Sequence, residues 1–370
     1  MTSGTLGGTN RNLSDGLEPD KIRGMEVRDR VRGCLLGGAI GDALGAPIEF
    51  QSLREIRRDH GTDGITGYVT TWRGKSALIT DDTQMTLFTV EGLLETHVTG
   101  PGGPPAGDMR ASTRSVRDAY LRWLDTQDHQ VPPPAGLPHH TGWLREEKWL
   151  YSRRAPGNAC LSGLRRPFGG PAPTGVPGPV NPDSKGCGTV MRSAPFGFMP
   201  RMPEAEEAFH LAAACAQITH GHPTGYLAAG AFAAIVARLM AGDGLEDAVH
   251  RALELLTRCP AHEETTEALI GALALATSGE PSPERVESLG GAWVAEEALA
   301  IGVYCALVEP SVEKALLLSV NHSGDSDSTG SVCGNLVGTM YGAAALPAAW
   351  LTPLEGRDTI ERLVVAAGWT

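Results

Sequence analysis

The sequence has no block of lysine and arginine residues, and this limits the partners that the chain can have. Its net charge is −12, and the arginine pairs at residues 57–58, 153–154 and 165–166 are isolated from one another. Proteins that bind nucleic acid depend on clustered positive charge to neutralise the phosphates. We therefore expect no nucleic-acid partner. An anionic small molecule remains open as a ligand, because a bound cation inverts the local charge.

The seven cysteines lack the spacing of a disulfide framework or of a zinc site. Their number is odd, they are scattered, and no two are separated by just two residues. The amino-terminal segment lacks the charged and then apolar layout of a signal peptide. These features fit a reducing compartment, and we expect a cytoplasmic protein.

No apolar run is long enough to cross a bilayer, which takes about 20 residues. The longest run covers residues 227–239 and contains Arg238. We therefore expect no membrane partner, and we expect a monomer. Residues 1–24 are polar and rich in glycine, and we expect them to form a flexible leader. Residues 25–370 are then expected to form a single catalytic domain.

The sequence shows no alternation of strand and helix patterns, and helical periodicity dominates it instead. Apolar spacing predicts helices from residue 27 onward and at 81–97, 115–126, 204–220, 223–240, 245–258, 262–277, 292–308, 311–320 and 329–345. Proline and glycine interrupt this pattern at 99–107, 131–139 and 167–182. The prediction is a compact all-α globule with loop insertions near 99–139 and 167–182.

The first predicted helix is unusual in its glycine content. Glycine recurs at positions 33, 37, 38, 41 and 45, although each glycine weakens a helix. We expect these residues to permit very close packing of another backbone or of a ligand.

Two short acidic segments, roughly 250 residues apart, carry most of the chemical information. They are residues 80–83 (Thr-Asp-Asp-Thr) and 324–328 (Gly-Asp-Ser-Asp-Ser), and each leads into a predicted helix. Clustered carboxylates repel one another unless a cation or shared protons hold them. Oxygen ligands of this kind suit Mg²⁺, Mn²⁺ or Ca²⁺. If the two segments meet in space, they form a cage large enough for two cations.

Taken separately, each acidic segment also fits the start of a helix, where acidic residues complement the helix dipole. Asp81 with Gln84 three residues later has the form of an N-terminal cap. For residues 80–83 alone, a capped helix start is the simpler interpretation. In the second segment, a capping role accounts for one of the two aspartates but not for both.

Three further places carry weaker signals. Asp42 lies among small residues that we expect to be buried, and we predict that it makes a structural hydrogen bond to a helix end. Glu49 follows Pro47 in an irregular segment and is freer to face a cleft. Residues 184–192 contain a glycine-rich turn that could present N–H groups to phosphate, although it matches neither a P-loop nor a dinucleotide fingerprint. His220 alone is more typical of a capping or core residue than of a ligand.

Taken together and in this order, these segments resemble the ADP-ribosylglycohydrolase family, which includes the hydrolase that reactivates ADP-ribosylated dinitrogen reductase. The matching segments are residues 37–45 with Glu49, and residues 80–83, 186–192, 219–220 and 324–328. The resemblance implies a compact all-α fold with a binuclear Mg²⁺ centre, sometimes Mn²⁺, in a cleft.

The resemblance also implies roles for individual residues. The metal ligands would be Thr80, Asp81, Asp82, Asp325, Asp327 and Ser328. The substrate contacts would be Gly186, Cys187, Gly188, Thr189, Met191 and His220. The glycine-rich turn would hold the diphosphate and the adjoining ribose, and His220 would border the adenosine side. Glu49 would lie near the scissile bond. The catalytic candidates are Asp81, Asp82 and Glu49, with acid and base unassigned. The family usually has threonine where this chain has Ser328, which retains the hydroxyl.

The implied activity is hydrolysis of the glycosidic bond between ADP-ribose and a modified protein or small molecule, with release of ADP-ribose. Arginine is the favoured linkage, and serine, a nucleic-acid base and a small metabolite remain alternatives. One alternative is an inactive family member that binds ADP-ribose, but both aspartate pairs are intact. Another is a binuclear metal phosphoesterase. Such enzymes commonly add histidine ligands, and only His322 lies close to either acidic segment in the sequence.

Overall fold

The computed structural model describes residues 26–70, 74–96, 108–199 and 202–368. Within these ranges the chain forms fifteen α-helices and no strand, apart from one isolated bridge between Gly186 and Val294. The all-α prediction is confirmed. The predicted leader, at 1–24, and the predicted loop at 99–107 lie outside the described residues.

The α-helices are numbered in chain order. They are α1 Val27–Gly45, α2 Leu53–His60, α3 Asp81–Glu95, α4 Met109–Asp128, α5 Asn158–Leu164, α6 Ala205–Ala216, α7 Pro223–Met240, α8 Leu245–Leu256, α9 Glu263–Ala276, α10 Pro283–Glu287, α11 Ala295–Val308, α12 Val312–Val320, α13 Ser326–Tyr341, α14 Ala348–Leu351 and α15 Arg357–Ala366. Short 3₁₀ turns occupy Leu144–Glu146, Lys148–Leu150, Cys187–Thr189, Ala194–Gly197 and Ala343–Ala345.

Each predicted helix is present, with ends that differ by a few residues. Five helices were not predicted: α2, α5, α10, α14 and α15. Helix α2 buries only Leu53 and Ile56, and its start is fixed by a reciprocal capping box between Ser52 and Glu55. The helices α5, α10 and α14 have seven residues or fewer, too few to show a clear apolar period.

Helices α1 and α13 cross at very short distance. A Cβ atom added to Gly41 would lie 1.9 Å from the carbonyl oxygen of Gly330, and one added to Gly37 would lie 2.3 Å from that of Gly334. Only glycine tolerates such an approach. The crossing confirms the predicted close packing, and it brings the acidic start of α13 to the carboxyl end of α1, just before Glu49.

Helix α7 forms the centre of the core. It is long and apolar enough to cross a membrane by composition alone, but 94% of it is buried inside the protein. Its amino-terminal proline starts the helix as predicted. We therefore interpret α7 as a core helix, which packs between α6 and α8.

The two proline-rich segments within the described residues, at 131–139 and 167–182, contain no helix, as predicted. Side chains of the core anchor both. Arg122 donates hydrogen bonds to the carbonyl oxygen of His139 and to the Thr141 hydroxyl. Gln217 exchanges hydrogen bonds with the backbone of Ala172. These loops are held against the helices at defined points.

Candidate metal centre and its cleft

The structure brings Glu49 together with both aspartates of the second acidic segment. Carboxylate oxygens of Glu49, Asp325 and Asp327 all lie within 4.8 Å of one another. The three residues are 8%, 3% and 4% exposed. Three carboxylates at this separation and burial repel one another when charged, so the cluster favours a cation or protons.

The first acidic segment faces the same cluster. Asp82 is 3% exposed, and its Oδ2 atom is buried with no hydrogen-bond partner. Burial raises the pKa of Asp82 well above its usual value, and the charges of Asp42, Asp81 and Asp325 add to the rise. The Ser328 side chain lies near enough to oppose that rise by hydrogen bonding. The convergence of the two segments, on which the metal prediction depended, is present.

Asp81 lies at the first position of α3, and burial raises its pKa to about 8. The backbone N–H of Gly157 donates to its Oδ2 atom at 3.3 Å. The predicted cap of this helix was wrong. Thr80, not Asp81, caps α3, because its hydroxyl accepts from the backbone N–H of Asp82. Gln84 instead accepts hydrogen bonds within the core. Asp81 is therefore free of a capping role.

Asp42 makes the structural hydrogen bonds that were predicted for it. Its carboxylate accepts from the backbone N–H of Thr80 at 3.0 Å, and from the N–H and hydroxyl of Thr83 at 3.1 and 2.5 Å. Complete burial raises the pKa of Asp42 to about 6, and these hydrogen bonds oppose the rise. Asp42 thus joins α1 to the start of α3.

The aspartates of α13 combine two roles. Asp325 caps the helix, because its Oδ1 atom accepts from the backbone N–H of Ser328 at 3.3 Å. The Oδ1 atom of Asp327 accepts from the same N–H at 2.9 Å. The Oδ2 atom of Asp325 points away from the helix, towards the Cys187 sulfur at 2.7 Å. A helix start and a ligand site are therefore compatible, since each carboxylate has two oxygens.

The electrostatics of the cluster suit a hard divalent cation. Burial raises the pKa of Glu49 to about 8, and the neighbouring charges of Asp325, Asp81 and Asp42 contribute in the same direction. The pKa of Asp327 is likewise raised by burial and by adjacent carboxylates. The oxygen donors and the unpartnered Asp82 Oδ2 atom are what Mg²⁺ or Mn²⁺ would satisfy. The residues present fit such an ion.

A cleft of about 220 Å³ opens beside the cluster. Glu49 and Thr80 line it from the cluster side, and Arg154 lines it from the other side. Arg154 donates to the carbonyl oxygen of Ile79 and is paired with Glu355, so its charge is compensated. Among the residues that the structure describes, Glu49 is the one carboxylate that belongs both to the cluster and to this cleft.

Two exposed aromatic residues stand at the rim, and sequence reasoning missed them. Phe50 is 73% exposed and Trp293 is 46% exposed. Their rings stack with centroids 5.6 Å apart and planes inclined by 19°. Phe50 follows Glu49 directly in the sequence and lines the same cleft. Its position next to Glu49 was the signal that could have identified it. Nothing in the sequence indicated that Trp293 would join it.

The glycine-rich turn is fixed against the start of α11. The backbone N–H of Cys187 donates to the carbonyl oxygen of Trp293 at 3.2 Å. Gly186 and Cys187 are partly exposed. The other predicted contacts in this segment, Gly188, Thr189 and Met191, are buried. Of the predicted contacts in this turn, Gly186 and Cys187 are therefore the more exposed.

His220, which the family resemblance places on the adenosine side of a ligand, is buried in this structure. It is 2% exposed and lies beneath the turn, where a Cβ atom on Gly188 would meet its ring at 3.1 Å. Its Nδ1 atom bonds to the Thr219 hydroxyl, which also accepts from Arg192. Burial and the charge of Arg192 lower the pKa of His220 to about 3. His220 is a neutral support of the turn.

Comparison with known proteins gives a consistent result. The ADP-ribosylglycohydrolase family profile matches residues 23–368. The chain is 26% identical to ADP-ribosyl-[dinitrogen reductase] glycohydrolase of Rhodospirillum rubrum, over 94% of this chain and 99% of that protein. It is 24% identical to ADP-ribosylarginine hydrolase Tri1 of Pseudomonas putida (strain GB-1), over 91% of this chain and 77% of that protein.

A solved structure described as an ADP-ribosylglycohydrolase-related protein complex superposes with a TM-score of 0.59 at 25% identity, covering 92% of this chain and 98% of that one. The resemblance noted in the sequence is thereby confirmed along nearly the whole chain. The chain belongs to the ADP-ribosylglycohydrolase family, and it is a metal-dependent hydrolase of glycosidic bonds.

Proposed function

We propose that this chain hydrolyses the bond between ADP-ribose and a modified arginine side chain, with two Mg²⁺ ions at the carboxylate cluster, and releases ADP-ribose. The observation that supports it most is the convergence of Glu49, Asp82 and Asp325 beside one open cleft. Residues so far apart in sequence have no structural need to place buried carboxylates together.

The residues that would hold the ions are those of the two helix starts, with Glu49 beside them. They are Thr80, Asp81, Asp82, Asp325, Asp327 and Ser328. When bound, a divalent cation would supply charge that fixes the ribose hydroxyls and positions a water. Mn²⁺ has the same oxygen preference and is the alternative ion.

Glu49 is the residue that we place closest to the reacting bond. Cleavage of the glycoside develops positive charge on the ribose and requires groups that donate and accept protons. Glu49 alone joins the cluster to the cleft, and its raised pKa lets it hold a proton near neutral pH before a cation binds. Asp81 and Asp82 remain candidates for activating the water, because they face the cluster and their charges act on Glu49 and Asp327 respectively.

The rim supports an arginine-linked target. A guanidinium group stacks well on aromatic faces, and Phe50 and Trp293 offer such faces beside the cleft. The carboxylates and the net charge of −12 also favour a cationic leaving group. One relative is named an ADP-ribosylarginine hydrolase, and the name of another specifies dinitrogen reductase, a protein. These names support an ADP-ribosylated protein as the substrate of this chain.

We further propose that the chain is a cytoplasmic monomer. All seven cysteines are free thiols in the structure, which agrees with a reducing compartment. Size-exclusion chromatography with light scattering tests the monomer, and imaging of the tagged chain in its source cells tests the compartment.

The deciding experiment is a panel of substrates with ADP-ribose on arginine, on serine or on a nucleobase, each assayed with Mg²⁺, with Mn²⁺ and with EDTA. Release of ADP-ribose from the arginine substrate, lost in EDTA, is the expected result. Release of inorganic phosphate would indicate the phosphoesterase instead. Metal-dependent binding of ADP-ribose without release from any substrate would indicate an inactive binding protein.

A further inference from the structure

Ile79, which lies two residues before α3, is held at both of its backbone polar groups. Its N–H donates to the Oε2 atom of Glu355 at 3.3 Å, and its carbonyl oxygen accepts from the Nη1 atom of Arg154 at 2.5 Å. Nη1 of Arg154 also donates to Oε2 of Glu355, and Nη2 donates to Oε1 at 2.8 Å. The two side chains and the Ile79 backbone therefore form one closed ring of hydrogen bonds.

Helix α3 does not supply these partners itself. Ile79 is fully buried, and the hydrogen-bond ladder of α3 begins with the carbonyl oxygen of Thr80. Buried backbone groups need a partner, and a neutral group would meet that need. This chain uses an arginine and a glutamate instead, whose charge-assisted hydrogen bonds are shorter and stronger. Ile79 is thus fixed more firmly than its burial alone requires.

Glu355 fixes the same segment at a second point. Its backbone N–H donates to the carbonyl oxygen of Ala77 at 3.0 Å. Ala77 has a φ angle of 56°, in the left-handed region that residues other than glycine rarely adopt. Such a conformation persists only where the surrounding structure imposes it. Glu355 therefore helps to impose the path of the chain into α3.

Arg154 belongs to a segment, residues 152–157, that follows the start of α3 without forming a helix. At one end of this segment the carbonyl oxygen of Ser152 accepts from a side chain of α3 at 3.0 Å. At the other end the N–H of Gly157 donates to Asp81 at 3.3 Å. Arg154 lies between these two contacts, so its guanidinium group extends from a segment that is itself fixed against α3.

We propose that Arg154 and Glu355 are positioning residues of the metal centre. By fixing Ile79, the pair sets where the chain enters α3, and so sets the positions of the candidate ligands in the first turn of that helix. Neither side chain touches the cation in this role, since both act through the backbone. This inference rests on the proposed function, because it takes a divalent cation at the carboxylate cluster as given.

The pair complements Asp42, which fixes the next residue of the chain. The Asp42 carboxylate accepts from the backbone N–H of Thr80 at 3.0 Å. Asp42 is completely buried, whereas Arg154 lines the open cleft and its side chain is 22% exposed. The consecutive residues Ile79 and Thr80 are thus held from the core and from the cleft. Ligands of a metal site must keep their positions to within about 0.5 Å, so both contacts matter.

The test is a calorimetric titration of the metal-free full-length protein with Mg²⁺. We expect Arg154→Ala and Glu355→Ala each to lose about tenfold or more in Mg²⁺ affinity, as for other residues that orient metal ligands. The double variant should lose little more than the larger single loss, because both side chains act on the same residue. Arg154→Lys keeps the charge but not the planar fork, so it should recover part of the affinity.

Arg32 supplies a matched control for the loss of an ion pair at α15. It donates two hydrogen bonds to Glu361, at 2.8 and 2.6 Å, and the two side chains are 31% and 28% exposed. The side chains of Arg154 and Glu355 are 22% and 19% exposed. Arg32 joins α1 to α15 but bonds to neither backbone group of Ile79. Arg32→Ala should therefore lower stability towards urea in EDTA and keep the Mg²⁺ affinity.

Three results would overturn the proposal. The first is an unchanged Mg²⁺ affinity in both alanine variants of the pair, and the second is an equal loss of affinity in Arg32→Ala. The third is a higher KM for the substrate with unchanged Mg²⁺ affinity, since Arg154 would then contact the substrate itself. If an alanine variant does not fold, Arg154→Lys and Glu355→Gln give the same comparison with less loss of packing.

Failure of this inference can be told apart from failure of the proposed function. The Mg²⁺ titration needs no substrate, whereas the function is read by ADP-ribose release. A wild type that binds Mg²⁺ but releases no ADP-ribose, with weaker binding in the variants, keeps the positioning role and loses the hydrolase proposal. A protein that releases ADP-ribose and whose variants bind Mg²⁺ equally does the reverse. A wild type that binds no divalent cation overturns both.

Discussion

The Oδ2 atom of Asp42 accepts two hydrogen bonds from Thr83, one from its hydroxyl at 2.5 Å and one from its backbone N–H at 3.1 Å. This contact fixes the start of α3 to α1. Because α3 carries Asp81 and Asp82 in its first turn, the hydrogen bonds of Asp42 set the position of both residues.

The Asp42→Ala variant should therefore lose both stability and metal affinity. The buried donors of Thr80 and Thr83 are left without an acceptor, at a cost of about 1–3 kcal/mol for each unsatisfied group. Thr83→Val removes only the hydroxyl and should cost about 1 kcal/mol. Urea unfolding in EDTA measures the two losses. Equal, small losses for both variants would show that Asp42 does not hold the helix.

Gly45→Ala should disturb the centre through packing alone. Its new Cβ atom would lie 2.2 Å from the carbonyl oxygen of Ser326, at the first position of α13. The helix must move, with a cost of about 1–3 kcal/mol for overpacking, and Asp327 moves with it. We expect weaker Mg²⁺ binding, measured by thermal stabilisation. Gly169→Ala is the matched control, since its Cβ atom would meet nothing within 4 Å.

The metal-free protein should lose stability as the pH rises from about 4 through about 8. Unfolded carboxyls titrate at about 4, whereas burial raises the pKa of both Glu49 and Asp81 to about 8. Between these values the folded state binds more protons than the unfolded state, so its stability falls with pH. Melting curves in EDTA from pH 5 to 8.5 should show this fall.

Mg²⁺ should remove most of that dependence, because it replaces the protons. Its stabilising effect should consequently be larger at pH 8 than at pH 5.5. The Glu49→Gln variant carries one titrating group fewer and should show a shallower fall in EDTA. Melting temperatures in EDTA that rise with pH over this window would contradict the assignment of raised pKa values.

Much of the fold could be predicted because helix signals are local. Helix α7 is marked by Pro223 at its start and by apolar residues up to Met240, and the structure gives those ends. Helix α15 was missed although its buried residues Ile360, Leu363 and Val364 have helical spacing, so a signal was available. Helix α2 buries only two apolar residues, and its cap at Ser52 was the available signal.

The meeting of the acidic segments depends on a long-range contact that no single segment shows. Glycines spaced four apart occur in both α1 and α13, and the two stripes face each other: Gly41, Gly37 and Gly33 lie against Gly330, Gly334 and Gly338, and Gly45 lies against Ser326. Read as a pair, these stripes would have predicted the crossing. The burial of His220 had no such signal, because it depends on the turn at 186–188 packing above it.

Substitutions at α13 should separate ligands from packing. Asp327→Ala should abolish turnover and leave the metal-free protein folded, because loss of one carboxylate relieves repulsion. Asp325→Ala should do the same but lose about 1 kcal/mol, since Asp325 also caps the helix. Turnover with Mg²⁺ and urea unfolding in EDTA measure these effects. Less than tenfold loss of activity in both variants would remove the two residues from the centre.

Ser328 tests whether a hydroxyl is needed at the centre. Ser328→Thr keeps the hydroxyl and should retain activity. Ser328→Ala should weaken Mg²⁺ binding, because the side chain lies against Asp82 in the cluster. Calorimetric titration of the metal-free variants with Mg²⁺ gives the comparison. Equal affinity in the alanine variant would exclude Ser328 as a ligand.

Product binding offers a readout that does not depend on the leaving group. ADP-ribose should raise the melting temperature, and it should do so more in Mg²⁺ than in EDTA. A ligand at about 100 times its dissociation constant adds about 2.7 kcal/mol to stability. For a chain of 370 residues this corresponds to a shift of at most a few degrees. AMP should give a smaller shift, because it lacks the ribose whose hydroxyls would reach the cations.

The comparison of ADP-ribose with AMP tests whether the protein recognises the second ribose. The cluster at Glu49, Asp325 and Asp327 is the part of the protein that would meet the second ribose, so AMP leaves it uncontacted. Asp327→Ala should then reduce the ADP-ribose shift in Mg²⁺ to about the size of the AMP shift, with little effect on AMP itself. If AMP stabilises the wild type as much as ADP-ribose does in Mg²⁺, the second ribose is not recognised, and the hydrolase proposal loses its main support.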